Sequence, residues 1–389
     1  MDGDVLYMKE NVTKNNERNV SLDLLKIIGM FLIVCIHFIG INHLIDISVK
    51  GSMNYIAMLI IHVICLIAVP CYFLISGYFL VNSKFNIKKI LNIWAITIFY
   101  SILFLGLYLT IYKKNPQILE WQKSLFPVLA EGYWFVSVYV VLYLIFPFLN
   151  IIIHKINKKQ YIFLMTVLFT ANCVATTFFP ATKVYNNNNG MNIFYAIFLY
   201  FVAGYIRIYH KENKENKQNN KKIIKYLIIF IISIAMLSLI LYQLKTANTK
   251  NYMIRLFTDQ CFSYSSILCF IASVSVFKIF TNIKITNHSI KEIVGYFKPL
   301  LFSVYLIHNN IIFANILWNG LDVKNYIKLP TLTLLGYTIG ISLLIFICCM
   351  GVEILRIQLF KIIAEIKFVR KINNKLQIQY DKINAIINI

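Results

Sequence analysis

The chain has 389 residues, of which 59% are apolar and only 14% charged. A soluble domain carries about 25% charged residues, so a soluble globular enzyme is excluded, as is a disordered chain, which lacks apolar surface to bury. The charge is lopsided, with 38 Lys and Arg against 16 Asp and Glu and a net charge of +22. In a chain this apolar the excess points to basic loops facing the cytoplasm and anionic lipid; a nucleic-acid partner is not expected.

A spanning helix needs about 20 mostly apolar residues. Ten windows meet that demand, at roughly 21–41, 53–76, 91–112, 133–153, 161–179, 191–209, 223–243, 260–280, 299–317 and 331–353. The first is too long for a signal peptide, and no small-x-small cleavage pattern follows it. With the N-terminus inside, 27 of the 38 basic residues fall on cytoplasmic segments and 10 on outer ones, with Lys26 inside the first window. That bias supports an even number of crossings. The expectation is an all-α integral membrane protein of about ten transmembrane helices, both termini cytoplasmic. It divides into an N-terminal segment 1–20, a helical domain 21–353 and a tail 354–389.

Among the connections, 183–190 reads as an outer loop and the polar run 211–222 as a solvated cytoplasmic loop. In the tail, Ile357, Phe360, Ile363, Ile366, Val369 and Ile372 recur among basic residues, the pattern of an amphipathic helix lying on the inner leaflet. No internal repeat of the kind that builds duplicated transporter folds is evident. Eight cysteines lie in apolar runs without C-x-x-C spacing, so neither a disulfide framework nor a metal site is expected.

An ionisable group at mid-membrane costs about 2.5–3.5 kcal/mol on insertion scales, so the few present are functional candidates. The first window holds Asp23, Lys26 and His37, the second His62 and the ninth His308. Lys26 and His37 are eleven residues apart, which puts them on one helix face about 16 Å apart along the axis. Asp23 stands three residues before Lys26, close enough to pair. Read for structure alone, Lys26 snorkels to the interface and His37 makes one hydrogen bond. No nucleotide-hydrolase motif is present.

Four blocks occur in order: SLDLLKIIGMFLIVCIH (21–37), VPCYFLISGYFL (69–80), YWFVSVYVVLYLIFPFLN (133–150) and FSVYLIHNNIIF (302–313). Together they resemble the acyltransferase-three family, membrane-bound O-acyltransferases of bacterial cell-surface glycans and lipids. The resemblance covers roughly residues 18–355 and leaves the tail outside. It implies an acyl-CoA donor, usually acetyl-CoA, reached from the cytoplasm, and a hydroxyl of a surface polysaccharide or its lipid-linked precursor as acceptor. It also implies the plasma membrane of a bacterium as location, with polysaccharide-biosynthesis proteins as partners.

In that family a basic residue, normally Arg, stands eleven positions before a histidine. His37 thus matches the catalytic histidine, and Lys26 keeps the charge near the phosphates of the donor but not the bidentate fork of Arg. Ser76, Gly77 and Tyr78 match the family's S-G-[FY] block and are assigned to donor binding by that likeness. Better-known branches carry a Glu where Tyr139 stands, so no role that needs a carboxylate carries over. Trp134, Tyr139, Tyr305 and His308 are candidates for the acceptor cavity. A neutral imidazole at His37 would take the proton of the attacking hydroxyl, or would accept the acyl group itself. Two other functions fit the same features: a glycan flippase or secondary transporter, and an accessory membrane subunit of a polysaccharide synthase or export system.

Overall fold

The structure is a computed structural model, and it describes residues 19–113, 115–180, 188–209, 216–247, 251–321, 323–365 and 367–388. Its principal helices are α1 (Val20–Ile41), α2 (Met53–Leu66), α3 (Ala68–Leu80), α4 (Ile87–Leu107) and α5 (Ile118–Leu125). They continue as α6 (Trp134–Lys155), α7 (Lys158–Phe169), α8 (Ile193–Tyr209), α9 (Asn216–Thr246) and α10 (Ile267–Asn282). The last five are α11 (His288–Phe297), α12 (Leu301–His308), α13 (Phe313–Asn319), α14 (Thr331–Ala364) and α15 (Lys367–Ile387). No strand occurs among the described residues, as lipid demands of any segment that cannot close a barrel.

Among the described residues seven helices are long and apolar enough to cross a membrane, and an eighth crossing results if the bent pair His288–His308 and Phe313–Asn319 counts as one. The windows at 191–209 and 260–280 form shorter apolar helices, Ile193–Tyr209 and Ile267–Asn282. The chain is therefore a multi-pass, all-helical membrane protein. Large apolar side chains such as Phe163 and Leu332 stay exposed on its outside, which suits a surface solvated by hydrocarbon.

Local chemistry sets the ends. The Asn19 side chain accepts from Leu22 N and starts α1, and Ser52 does the same for α2 through Tyr55 N. The second window is broken between α2 and α3 at Ile67. Pro70 explains the break: it has no N–H for the carbonyl of Leu66, and its ring crowds that carbonyl.

The ninth window departs most from the expected straight span. Its helix stops at His308 and resumes at Phe313 after a bend of 82°. Asn310 is the cause. Buried to 1% exposure, it turns its Oδ1 back onto the backbone N–H groups of Ile312 (3.0 Å) and Phe313 (3.1 Å), a local cap that competes with continuing the helix. Its Nδ2 donates to the Tyr133 hydroxyl at 2.8 Å, tying the break to α6.

Two connections also differ from expectation. The run 211–222 is not all loop, because α9 already begins at Asn216; residues 210–215 and 181–187 lie outside the described set. The tail is two pieces: residues 354–364 prolong α14, and α15 is a separate helix. Near its end, Asn384 Oδ1 accepts from Ile87 N at 2.8 Å, and Asn388 both accepts from Phe85 N (2.6 Å) and donates to Phe85 O (2.8 Å). The tail is thereby pinned to the α3–α4 connection.

Helices α3 and α8 approach closely at Gly77. A Cβ at Gly77 would lie 2.9 Å from Tyr200 Cα and 3.0 Å from Ala203 Cβ. Gly77→Leu is expected to force the two helices apart at a cost of about 1–3 kcal/mol. A lowered melting temperature of the detergent-purified protein checks this, and an unchanged melting curve contradicts it.

Candidate active site

The α1 face carrying Lys26 and His37 is the spine of the site. At its first turn Asp23 is buried to 2% exposure, although a carboxylate in lipid is costly. Two ammonium groups compensate it: Lys26 Nζ at 3.2 Å and, from the far end of the chain, Lys298 Nζ at 3.0 Å. The three groups together keep one net positive charge. Lys26 also lies over the Phe79 ring, 5.3 Å from its centroid, and the Tyr72 hydroxyl donates to the Lys26 carbonyl at 2.6 Å. Sequence spacing alone gave Lys26 one partner; the structure gives Asp23 two.

The Ser-Gly-Tyr block of α3 is adjacent, and its members divide. Ser76 Oγ donates to Tyr72 O within its own helix, and Gly77 serves the contact with α8. Tyr78 faces Arg207 of α8, whose Nη1 donates to the phenol oxygen at 2.8 Å while the guanidinium lies 4.6 Å from the ring centroid. Arg207 therefore belongs to the same basic end of the bundle as Lys26.

Three turns along α1, the His37 ring meets His308 of α12. His37 Nδ1 lies 2.9 Å from His308 Nε2, across 271 residues of sequence. His308 Nδ1 in turn bonds the Val304 carbonyl one turn back. A carbonyl only accepts, so His308 Nδ1 carries the hydrogen and His308 Nε2 is the acceptor. His37 Nδ1 must then be the donor, which leaves the lone pair of His37 on Nε2. Among the described residues no protein group bonds that nitrogen. His37 keeps partial exposure while His308 has none. The pair forms a directed chain with its basic end at the accessible atom.

His308, expected at the acceptor cavity, is fully enclosed, and both its nitrogens are engaged, one with the Val304 carbonyl and one with His37. Around it sit Tyr305 at 6.2 Å and Trp318 of α13 at 6.4 Å between ring centroids. The Tyr305 hydroxyl and Trp318 Nε1 are buried without a hydrogen-bond partner, unusual for such groups and suited to a bound polar molecule or water. Phe135 links this cluster to the α3 side, with Tyr305 at 5.9 Å, Tyr72 at 5.9 Å and Phe73 at 4.9 Å. Trp134 stacks on Tyr264 at 6.0 Å, and Tyr139 stacks on Phe135 at 6.3 Å. Both flank the cluster from α6, and among the described residues no ring contact joins either to a histidine.

His62 is not part of the pair; it stacks on Phe262 at 4.4 Å, with its Nδ1 buried and unpartnered. Glu353 was overlooked at the end of the tenth window. Buried to 2% exposure, it accepts two bonds from Arg356 (2.6 and 2.7 Å) and one from the Tyr100 hydroxyl (2.6 Å). A Glu–Arg pair at i,i+3 was the available signal. Among the described residues no group of three or more His, Cys, Asp or Glu side chains is placed to hold a metal.

A family model described as an acyltransferase domain, Acyl_transf_3, matches residues 19–353. The matched stretch contains both histidines, the Asp23 cluster and the broken ninth segment. The chain belongs to this acyltransferase family of membrane proteins. No curated protein and no solved structure matches it.

Asp23→Asn removes the charge that Lys26 and Lys298 share. The expected loss is about 2–3 kcal/mol, the range for bonds to charged groups when one partner is removed. Chemical or thermal unfolding in detergent measures it, and wild-type stability in this variant would show that the cluster is not structural.

Proposed function

We propose that the protein is an O-acyltransferase, most simply an O-acetyltransferase, that moves an acyl group from cytoplasmic acetyl-CoA or another acyl-CoA to a glycan hydroxyl. The acceptor is a cell-surface polysaccharide or its lipid-linked precursor at a bacterial plasma membrane, where polysaccharide-biosynthesis proteins are the expected partners. In this reading the chain crosses the bilayer ten times with both termini in the cytoplasm, the Lys26 end inside and the His37 end outward. The observation that carries the proposal is the chain Val304 carbonyl–His308–His37, which aims a basic nitrogen into accessible space inside a member of an acyltransferase family.

The residues divide the work. His37 Nε2 takes the proton of the acceptor hydroxyl as the hydroxyl oxygen bonds to the thioester carbonyl carbon. The C–S bond then breaks, and His37 returns that proton to the departing sulfur, so the histidine ends as it began. While it is protonated, its Nδ1–H stays on His308 Nε2, which fixes ring orientation and tautomer as a carboxylate does in a serine protease. Lys26, with Lys298 and Arg207, offers positive charge for phosphates at the other end of the face. The helix places this charge about 16 Å from His37, and the pantetheine arm of coenzyme A separates its phosphates from its sulfur by a comparable length. The unpartnered Tyr305 hydroxyl and Trp318 Nε1 are donors beside the reacting atoms.

The broken ninth segment favours a second reading, because polar groups at a helix break also build transport sites. Stabilisation of the purified protein by acetyl-CoA discriminates, since a transporter of glycans has no reason to bind it.

His37→Ala is expected to lower acyl transfer about 10²–10⁴-fold, the usual worth of a general base. His308→Ala is expected to cost about 10–100-fold in kcat with little change in KM, as loss of an orienting partner does. Glycan acylation measured by mass spectrometry in cells with matched protein levels tests both. Wild-type acylation in His37→Ala cells would sink the proposal.

A further inference from the structure

At the end of the bundle where α1 finishes, a second feature stands apart from the histidines. Trp318 of α13 packs against Phe38 of α1 at 6.1 Å and against His308, which fixes α13 beside the reacting end. The preceding turn and another face of the same short helix present Ile312, Asn315, Ile316 and Asn319, spaced i, i+3, i+4, i+7 as one stripe. With Tyr108 and Glu120 these residues line an open cavity of about 310 Å³. Stacking of Phe104 on Phe313 at 4.6 Å holds α4 and α13 together beside it. The size lies at the lower end of small-molecule pockets, about 300 Å³.

Its chemistry is out of character for this chain. A larger cavity, between α2 and α9, is lined almost wholly by apolar side chains. Here a carboxylate, two amides and a phenol ring converge. Glu120 spends one oxygen on Gln117 N at 2.8 Å, closing a capping box at the start of α5, and keeps the other oxygen open. Asn315 donates to Ile311 O at 3.2 Å and keeps its carbonyl oxygen. Among the described residues the Asn319 side chain bonds to no protein group. Tyr108 opens a π-helical turn, Tyr108–Tyr112, where α4 widens; such turns recur at functional sites.

We infer that this cavity is a glycan subsite: it holds uncharged sugar residues of the acceptor chain next to the one that reacts. Sugar hydroxyls both donate and accept, which suits amides and a carboxylate, and an aromatic ring suits the apolar face of a pyranose. Among the described residues the lining carries one carboxylate and no cation, which disfavours an anionic sugar. Because α13 bears Trp318 as well as two of the amides, a sugar chain seated here is aligned with His37 through one rigid element. The inference rests on the acceptor being a glycan, and it names where a polymer is gripped away from the chemistry.

The test uses the full-length protein in lipid nanodiscs and fluorescently labelled oligosaccharides released by mild acid from the surface glycan of the producing cells. Glu120→Gln keeps the capping acceptor, and Asn319→Leu alters an exposed side chain, so both variants should fold. Each is expected to raise Kd about tenfold, the worth of one charge-assisted or cooperative hydrogen bond. In acyl transfer each should raise KM for the oligosaccharide while leaving kcat, and transfer to the derived monosaccharide, unchanged. No binding by the wild type, or Kd unchanged in both variants, overturns the subsite. Binding that both variants weaken, with no acyl transfer by the wild type, sustains the subsite and refutes the transferase reading instead.

Discussion

An imidazole inside an apolar helix bundle has to be given a hydrogen-bond partner, and His37 finds one on a helix 271 residues away. Much else in the structure follows from that bond. His308 is the last residue of its helix, and its own second nitrogen is held by the Val304 carbonyl of the same helix. A carbonyl has no proton to give, so the direction of both bonds is fixed and the basic lone pair must sit at His37 Nε2. No carboxylate takes part in this chain. A backbone group does the orienting, which adds no charge to a region where charge is costly.

The break in the ninth segment is the structural counterpart of that bond. A straight helix through 299–317 would satisfy its backbone without help, as lipid requires. Asn310 makes the break tolerable by serving as an acceptor for two backbone N–H groups and a donor to Tyr133. The Tyr133 hydroxyl donates on to Leu306 O at 3.0 Å. The unwound turn is thus enclosed by protein, and α13 leaves it at 82° to bring Trp318 over the histidines.

The other end of the site solves the opposite problem. Asp23 is a buried charge, and two lysines far apart in sequence answer it. This arrangement joins α1 to the start of α12 below the histidines, so α1 and the ninth segment are held together at both levels. Glu353 with Arg356 and Tyr100 makes a similar closed set between α14 and α4. Asp23, Glu353 and Asn310 thus sit in satisfied clusters, whereas the Tyr305 hydroxyl and Trp318 Nε1 beside the histidines are buried without a partner.

The sequence by itself determined the membrane class, the helical architecture, the family and the shared face of Lys26 and His37. Each of these is a matter of composition, one-dimensional period or local pattern, and a helix converts such a pattern into a face without outside help. It marked His308 as costly and therefore meaningful, but not as the partner of His37. It gave no sign that Lys298 reaches Asp23, that Arg207 reaches Tyr78, or that Asn310 ends a helix in the middle of an apolar window. Those facts are distances between residues far apart in sequence, set by which helices pack together. Trp134 and Tyr139 show the converse, since blocks that are recognisable in sequence flank the histidines without touching them. Only the tertiary structure decided which nitrogen of His37 is basic, because the tautomer depends on a carbonyl on another helix.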